Sequence, residues 1–275
     1  MTFIKSIILA FSTFSSLPTP RVKWNEKNMR YMMCAFPIIG FVIAALWAGW
    51  FIFGIQLLFF WQRSISLHLI ALGFTLIPVF ISGGIHLDGF MDTCDALASH
   101  ASREKKLEIL KDSHSGAFAV LACVIYFLSY YFLSFEICDY FFGAASSSRF
   151  VNFFVRLMNF LPIVSVFVLS RLLSAFAVAT FPIAKNSGLV YTFASASAKK
   201  FTAVWCYIFF LLLSAALIYL YRFLGIALVG GSLSVFCFYF VVALRNFGGI
   251  TGDTAGWFVQ MCEIFGLLVF MISIC

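Results

Sequence analysis

The chain has 275 residues, of which 63% are hydrophobic and 11% are charged, and its mean hydropathy is +1.03. A soluble domain is nearer half apolar and a quarter charged, so this composition excludes an ordinary soluble protein. Apolar runs of about 20 residues recur and predict an all-α, polytopic membrane protein with one domain over residues 1–275. The net charge of +7 then indicates basic helix ends rather than a nucleic-acid partner.

The first 30 residues predict an interfacial segment. Apolar residues recur at helical spacing over 1–17, with polar residues between them. Pro18 and Pro20 are expected to end this helix. A basic flank over 21–30 precedes the first long apolar run. The sequence alone leaves open whether residues 1–17 cross the membrane.

Seven apolar runs are long enough to predict an integral helical bundle of about seven spans. They cover 31–53, 67–81, 117–135, 160–181, 201–221, 223–244 and 254–274. The second run is a little short and stops at Gly83 and Gly84. Two polar passages interrupt the series, an acidic stretch over 82–116 and a Gly-rich loop over 245–256.

Basic residues are distributed unequally between the two sets of loops that seven spans create. Thirteen fall in one set: Lys5, Arg21, Lys23, Lys27, Arg30, Arg103, Lys105, Lys106, Lys111, Lys185, Lys199, Lys200 and Arg245. Four fall in the other: Arg63, Arg149, Arg156 and Arg222. This bias predicts that the first set is cytoplasmic. The acidic stretch belongs to that set, so substrates are expected to arrive from the cytoplasm.

The acidic stretch holds more than half of the chain's 11 acidic residues. Asp88, Asp92 and Asp95 stand at i, i+4 and i+7, which places them on one face of a helix. Like charges at this spacing repel one another, and a bound cation would relieve the repulsion. Oxygen ligands without a Cys or multi-His pattern favour Mg²⁺, with Mn²⁺ as an alternative. The glycines around this segment are expected to let the backbone approach a ligand.

A second helix is predicted after Ser102, which can cap it. Residues 111–114, with the letters KDSH, follow at its C-terminal end. Its charged side chains are interpreted as a solvated face outside the site: Glu104, Lys105, Lys106 and Glu108.

The Gly-rich loop precedes the last apolar run. Its glycines, with Thr251 and Asp253, predict a phosphate cradle made of backbone N–H groups at a helix N-terminus. Arg171, within the fourth predicted span, and Lys185, in the loop over 185–188 that follows it, could supply cations to phosphates. The competing interpretation is that Arg171 is the buried partner of a span carboxylate such as Glu263.

Clustered aspartates, a lysine and flexible glycines at a membrane edge suit metal-assisted phosphoryl transfer. They also suit an ion transporter, in which carboxylates line a pathway. The position of the acids at the end of a span, near Arg103 and Lys111, favours the enzyme.

Residues 84–95, 107–113 and 248–253 carry a more specific signal. With the letters GIHLDGFMDTCD, LEILKDS and GGITGD, they resemble the two signatures of the cobalamin synthase family, the adenosylcobinamide-GDP ribazoletransferases. The resemblance extends over nearly the whole chain. It implies transfer of the cobinamide phosphate of adenosylcobinamide-GDP to the ribose hydroxyl of α-ribazole or its 5′-phosphate. GMP would leave, and adenosylcobalamin or its 5′-phosphate would form.

The resemblance also implies an Mg²⁺-dependent site in the bacterial inner membrane. Four residues are expected to hold metal and act in catalysis together with Lys111: Asp88, Asp92, Asp95 and Asp112. Eight are expected to bind substrate: His86, Ser113, His114, Arg171, Gly249, Thr251, Gly252 and Asp253.

Three positions depart from the family's pattern. Ala96 stands where Gly is usual and is expected to stiffen a turn, and His114 stands where Arg is usual. An acid is expected near Gln260, whereas Glu263 follows one turn later. A neutral His114 would weaken the contacts with phosphate.

The spacing of Asp92 and Asp95 is also similar to that of membrane CDP-alcohol phosphotransferases. That family's pattern continues with a Gly where this chain has Ala96, so it ranks second, and the ion transporter third. The lipid bilayer is an expected partner. The sequence leaves open a homo-oligomer or an association with other corrinoid enzymes.

Overall fold

The computed structural model describes residues 2–57, 66–112, 114–143 and 153–274. These residues form twelve helices and no strand, which confirms the all-α class. The first six are α1 (Thr2–Phe14), α2 (Glu26–Met29), α3 (Met32–Ile55), α4 (Leu67–Ser82), α5 (Ile85–Ala98) and α6 (Arg103–Ile109). The others are α7 (Ala117–Phe142), α8 (Phe153–Thr180), α9 (Leu189–Ala196), α10 (Lys199–Tyr221), α11 (Phe223–Phe247) and α12 (Gly252–Ile274).

Six of the seven predicted spans are confirmed as single long apolar helices: α3, α7, α8, α10, α11 and α12. The predicted second span is α4, whose 16 residues are too few to cross a bilayer alone. Helices α4 and α5 meet at an angle of 93°, and together they form either one broken span or a re-entrant segment. The chain is therefore an integral membrane protein with six or seven spans among the described residues.

The core of the bundle lies between α3 and α8. Trp47 is fully buried and donates its indole N–H to the carbonyl of Phe74 at 2.9 Å. The rings of Phe51 and Phe160 stack with their centroids 4.0 Å apart. The outer faces of α7 and α10 expose large apolar side chains, as lipid-facing helices do.

The corner between α4 and α5 is made by two glycines. Gly83 (φ +63°) and Gly84 (φ +78°) adopt the left-handed conformation, which Gly tolerates best. The Ser16 amide donates to the carbonyl of Ile81 at 2.9 Å, so the end of α1 is attached to this corner.

Helix α1 is present as predicted, although it ends at Phe14, before the two prolines. Its 13 residues span only ~20 Å, which is less than the ~30 Å hydrocarbon thickness. Phe3 contacts Tyr31 beside the start of α3, and Phe14 contacts Phe36 one turn further along α3. Helix α1 therefore lies against one end of the bundle. Two predicted second-set residues, Arg63 and Arg149, and the substrate candidate Ser113 lie outside the described residues.

Candidate active site

The site is built where α5 crosses α12 at very short range. A Cβ added to Gly89 would lie 2.8 Å from the Cα and carbonyl oxygen of Asp253. A Cβ added to Gly256 would lie 3.0 Å from the carbonyl oxygen of His86. Small residues allow helix backbones to approach in this way. Gly89 therefore serves helix packing here, because the space above it is filled by α12 and not by a ligand.

The crossing brings a fourth carboxylate to the predicted trio. Asp88, Asp95 and Asp253 all lie close enough to Asp92 to repel negative charge on it. Asp88 is exposed, whereas Asp92 and Asp253 are half-buried. The sequence predicted a phosphate-binding role for Asp253, and its closeness to Asp92 was missed because the two residues are far apart in the chain.

Asp95 has a partner of its own on α7. Its Oδ1 accepts a hydrogen bond from the amide of Ala119 at 3.3 Å, in the first turn of α7. A Cβ added to Gly116 would overlap the Asp95 carboxylate at 2.3 Å. Asp95 therefore caps α7, where a carboxylate also interacts favourably with the helix dipole.

Asp112 is not brought to the other aspartates. It is exposed, and its Oδ1 lies 3.0 Å from the His114 amide and 2.7 Å from His114 Nδ1. These contacts lower the pKa of Asp112. In the described part of the chain, no three Asp, Glu, His or Cys side chains are arranged to hold a metal ion by themselves.

The Gly-rich loop is bonded to a second loop. The amide of Ile250 donates to the carbonyl of Pro182 at 2.8 Å, and the amide of Ala184 donates to the carbonyl of Ile250 at 3.0 Å. A Cβ on Gly249 would lie 2.5 Å from the carbonyl oxygen of Pro182. Gly249 is thus needed for loop pairing, and its own amide is bonded to Ala243.

Thr251 and Thr254 form a reciprocal cap at the start of α12. The Thr251 amide donates to Thr254 Oγ1 at 2.9 Å, and the Thr254 amide donates to Thr251 Oγ1 at 3.1 Å. Within the cradle predicted over 248–253, the amides of residues 248–251 are therefore already bonded inside the protein. Gly252 opens the first turn of α12, where amides have no intrahelical partner, and it remains exposed.

Two cavities meet at Gly252 and Asp253. The loop cavity has a volume of about 240 Å³, and its lining includes Lys111 and Lys185. The aromatic cavity has a volume of about 280 Å³, and its lining includes Phe14, Phe36, His86, Asp88 and Phe193.

Lys185 is the half-buried cation of the loop cavity. Its Nζ donates to the carbonyl of Leu107 at 2.7 Å, which attaches the 182–188 loop to α6. Burial lowers the pKa of Lys185, and the nearby charge of Lys111 lowers it further. Lys111 itself is exposed at the rim. Both ammonium groups are placed to meet an anion entering this cavity.

His86 lies between two aromatic rings in the wall of the aromatic cavity. Its ring packs edge-on against Phe36, with centroids 5.5 Å apart, and stacks on Phe14 at 6.2 Å. It is 5% exposed, and its Nε2 has no hydrogen-bond partner within the described residues. A ligand in this cavity could supply that partner.

Arg171 does not face either cavity. It is 1% exposed, and its Nη1 lies 2.6 Å from Oε1 of Glu263. Of the two interpretations of Arg171, the structure therefore agrees with the buried ion pair, which joins α8 to α12. Glu263, the acid one turn beyond Gln260, is thus the structural partner of Arg171.

Helix α6 carries one charged residue that is not on the solvated face predicted for it. Lys106 was expected on a solvated face, yet it is buried and donates to Asn246 Oδ1 at 2.7 Å. Arg103 Nε donates to the carbonyl of Phe247 at 2.9 Å. The expectation for Lys106 was wrong because α6 packs against the end of α11. Ser102 caps α6 as predicted, accepting from the Lys105 amide.

The turn expected at Ala96 is absent. Ala96 lies inside α5, is fully buried, and packs with Leu110 and Phe247. An Ala in this place adds apolar contact between α5, α6 and α11 and stiffens no turn. His114 is exposed and contacts Asp112, outside the linings of both cavities.

The fold and the site define a polytopic membrane protein with carboxylates and two cavities at one end of its bundle. The chain belongs to the family described as cobalamin-5-phosphate synthase, whose model matches residues 6–271. Several curated relatives carry the name adenosylcobinamide-GDP ribazoletransferase. One from Lachnoclostridium phytofermentans is 38% identical, with 99% of this chain and 95% of the relative covered. One from Clostridium botulinum (strain Eklund 17B) is 33% identical, with 96% and 95% covered. No solved structure gives a significant match to the chain.

Proposed function

We propose that this protein transfers the cobinamide phosphate group of adenosylcobinamide-GDP to the ribose hydroxyl of α-ribazole or α-ribazole 5′-phosphate. GMP is released, and adenosylcobalamin or its 5′-phosphate is formed. The name shared by the relatives supports this reaction. The observation that carries it is the meeting of a cationic cavity and an aromatic cavity at Gly252 and Asp253.

The loop cavity suits the diphosphate of the nucleotide substrate. Lys111 and Lys185 supply positive charge, and the first turn of α12 begins at Gly252. Ammonium groups and free helix N-terminal amides both stabilise phosphate oxygens. The same groups would stabilise the phosphate that leaves with GMP.

The aromatic cavity suits the acceptor, because α-ribazole carries a flat aromatic base. The rings of Phe14, Phe36 and Phe193 offer stacking and edge contacts to such a base. The unpartnered Nε2 of His86 is a hydrogen-bonding group in the same wall. The exposed carboxylate of Asp88 also lines this cavity. An acceptor bound here would place its ribose between Asp88 and the diphosphate.

Asp88 is the proposed proton acceptor. The ribose oxygen attacks the phosphorus that carries cobinamide, and its proton passes to the Asp88 carboxylate. A new O–P bond forms while the P–O bond to the GMP phosphate breaks, and that oxygen leaves with its electron pair. Lys111 and Lys185 neutralise the charge on the departing phosphate.

The carboxylates fit a divalent cation by their chemistry. Mg²⁺ commonly binds one or two protein carboxylates together with substrate phosphates, so a complete protein cage is not required. Asp92 and Asp253 are the pair that would hold it, and Mn²⁺ accepts the same oxygen donors. When bound, the ion supplies charge neutralisation for the diphosphate. Asp95 and Asp112 contribute less to metal binding in this proposal. Asp95 caps α7, and Asp112 contacts His114.

The proposed location is the bacterial inner membrane, with the site facing the cytoplasm. The supporting observation is the thirteen-to-four distribution of basic residues between the two predicted sets of loops, which applies when α4 and α5 together count as one span. Lys111, Lys185 and the acidic cluster then share the side on which soluble nucleotides are found.

The test is a coupled assay on purified full-length protein in nanodiscs, supplied with adenosylcobinamide-GDP, α-ribazole and Mg²⁺. GMP and the corrinoid product are measured for wild type, for Asp92→Asn and for the matched control Glu104→Gln, an exposed acid outside both cavities. Product from wild type and the control, lost with EDTA and with Asp92→Asn, is expected. Absence of GMP from the wild type, under conditions where an authentic relative releases it, would reject the reaction. CDP-alcohol substrates and ion flux would then be measured.

A further inference from the structure

A third cavity lies apart from the two described above, at the N-terminal end of the chain. This N-terminal cavity has a volume of about 510 Å³ and lies between α1 and the segment that follows it. Four basic side chains line it: Lys5, Arg21, Lys23 and Lys27. It shares no lining residue with the loop cavity or the aromatic cavity.

The backbone around this cavity is held by buried hydrogen bonds. Ser6 is fully buried, and its Oγ donates to the carbonyl of Asn28 at 2.6 Å. The Asn28 side chain donates to the carbonyl of Lys23 at 2.9 Å, and Asn25 Oδ1 caps α2 by accepting from the Asn28 amide. These bonds hold the backbone that carries the four cations, whose side chains are exposed at the surface.

In the described part of the chain, the four cations of the cavity form no ion pair with an acidic side chain. Three ion pairs among the described residues are Lys105 with Glu108, Asp112 with His114, and Arg171 with Glu263, and none of them involves the four cations of the cavity. Glu26 is the one acid in the first 87 residues of the sequence, and its side chain is not part of the lining. The four cations line one cavity and carry the same charge, so an anion that enters would be attracted to all of them.

Apolar side chains are exposed beside the cations. Phe3 is 45% exposed, Ile4 63% and Trp24 51%. Aromatic and aliphatic residues next to a basic cluster are typical of a helix that lies at the membrane surface. A free phosphate would use the cations alone, whereas a phospholipid would use the cations for its headgroup and the apolar residues for its acyl chains.

We infer that the N-terminal cavity binds the phosphate headgroup of an anionic membrane phospholipid. Basic pockets and juxtamembrane basic clusters recognise such lipids, with about 1 kcal/mol for each Lys or Arg near the surface. The bound lipid would fix α1 at the end of the bundle, and Phe14 at the other end of α1 lines the aromatic cavity. The inference does not depend on the reaction proposed above.

The experiment measures lipid binding to the full-length protein in a neutral detergent by native mass spectrometry. The probes are dioctanoyl phosphatidylglycerol, dioctanoyl phosphatidylcholine and inorganic phosphate. The variants are Lys5→Gln/Arg21→Gln/Lys23→Gln/Lys27→Gln, its charge-preserving counterpart Lys5→Arg/Arg21→Lys/Lys23→Arg/Lys27→Arg, and the matched control Lys199→Gln/Lys200→Gln. The control removes exposed charge at the start of α10.

Wild type is expected to bind phosphatidylglycerol in preference to phosphatidylcholine. The neutralised variant should lose at least about tenfold in affinity for phosphatidylglycerol. The charge-preserving variant and the α10 control should stay within about threefold of wild type. Equal binding of the two lipids, or unchanged binding by a folded neutralised variant, would overturn the inference. Displacement of the lipid by millimolar inorganic phosphate would assign the cavity to a soluble anion instead. A charge-preserving variant that fails to bind would also overturn it.

Discussion

The acidic cluster and the Arg171–Glu263 pair are both charged groups of an apolar bundle, but only the second is neutralised by an opposite charge in an ion pair. Glu263 is matched by a guanidinium 2.6 Å away, and both side chains are 1% exposed. Asp88, Asp92 and Asp253 repel one another beside two cavities, without a cation of the protein in an ion pair with them among the described residues. A buried pair of this kind is costly to break by removing one partner. The unpaired carboxylates beside the cavities are where we propose that an external cation and a substrate bind.

The largest expected effect is on turnover, from a substitution in the acidic cluster. Asp88→Asn should lower kcat by about 10²–10⁴-fold, because the variant cannot accept the proton of the attacking hydroxyl. Its thermal stability should be unchanged or higher, because one of the repelling charges is removed. Turnover and melting temperature in the same detergent check both parts. Unchanged turnover would remove Asp88 from the proposed mechanism.

Removing Glu263 from its ion pair should lower the stability and leave the activity nearly unchanged, the opposite of the result expected for Asp88→Asn. Glu263→Gln leaves the buried Arg171 without its counter-charge and should cost about 3–5 kcal/mol of stability. The activity of the protein that stays folded should be nearly that of wild type. Replacing both partners, as in Arg171→Met/Glu263→Leu, should recover most of the stability. A fall in activity of Arg171→Met/Glu263→Leu at wild-type stability would instead return Arg171 to the substrate-binding set.

The close crossing that creates the cluster can be disturbed directly. Gly89→Ala places a Cβ 2.8 Å from the backbone of Asp253, so α5 and α12 must separate. We expect about 1–3 kcal/mol of destabilisation, together with a fall in activity. Gly49→Ala is the matched control, because a Cβ at that exposed position of α3 meets nothing within 4 Å. Equal behaviour of the two variants in unfolding and turnover assays would contradict the described crossing.

The smallest expected effect is a dependence on pH. Burial and Lys111 lower the pKa of Lys185 from its usual 10.5. A lysine with a lowered pKa loses its charge sooner as the pH rises, so the KM for adenosylcobinamide-GDP should increase several-fold on the alkaline side. Lys185→Arg should flatten this rise because a guanidinium stays charged. A rise of KM in Lys185→Arg that matches wild type would assign the effect to another group.

Much of the fold could be predicted from the sequence because span length and hydropathy are local properties. The helical spacing of Asp88, Asp92 and Asp95 was also correct, since all three lie on α5. Residues brought together by helix crossing could not be predicted in this way. Nothing local shows that Asp253 lies near Asp92, or that Asp95 serves α7.

The glycines show the same limit. Their spacing in the Gly-rich loop predicted a phosphate cradle, whereas Gly249 is needed for pairing with the Pro182 loop and the amides of Ile250 and Thr251 are already bonded. A glycine signals close approach, but the sequence does not say whether ligand or backbone occupies the space. Lys106 is similar, because a charged residue on a short helix gives no sign that an asparagine 140 positions later will accept its hydrogen bond.

The most direct test of a single site shared by α5 and α12 is a double-mutant cycle on kcat with Asp92→Asn, Asp253→Asn and the double variant, in saturating Mg²⁺. Residues that act as one unit have strongly non-additive effects. The double variant should therefore be about as slow as the slower single variant. If the two losses multiply instead, Asp92 and Asp253 act independently, and the site formed by this helix crossing is not the one that carries the reaction.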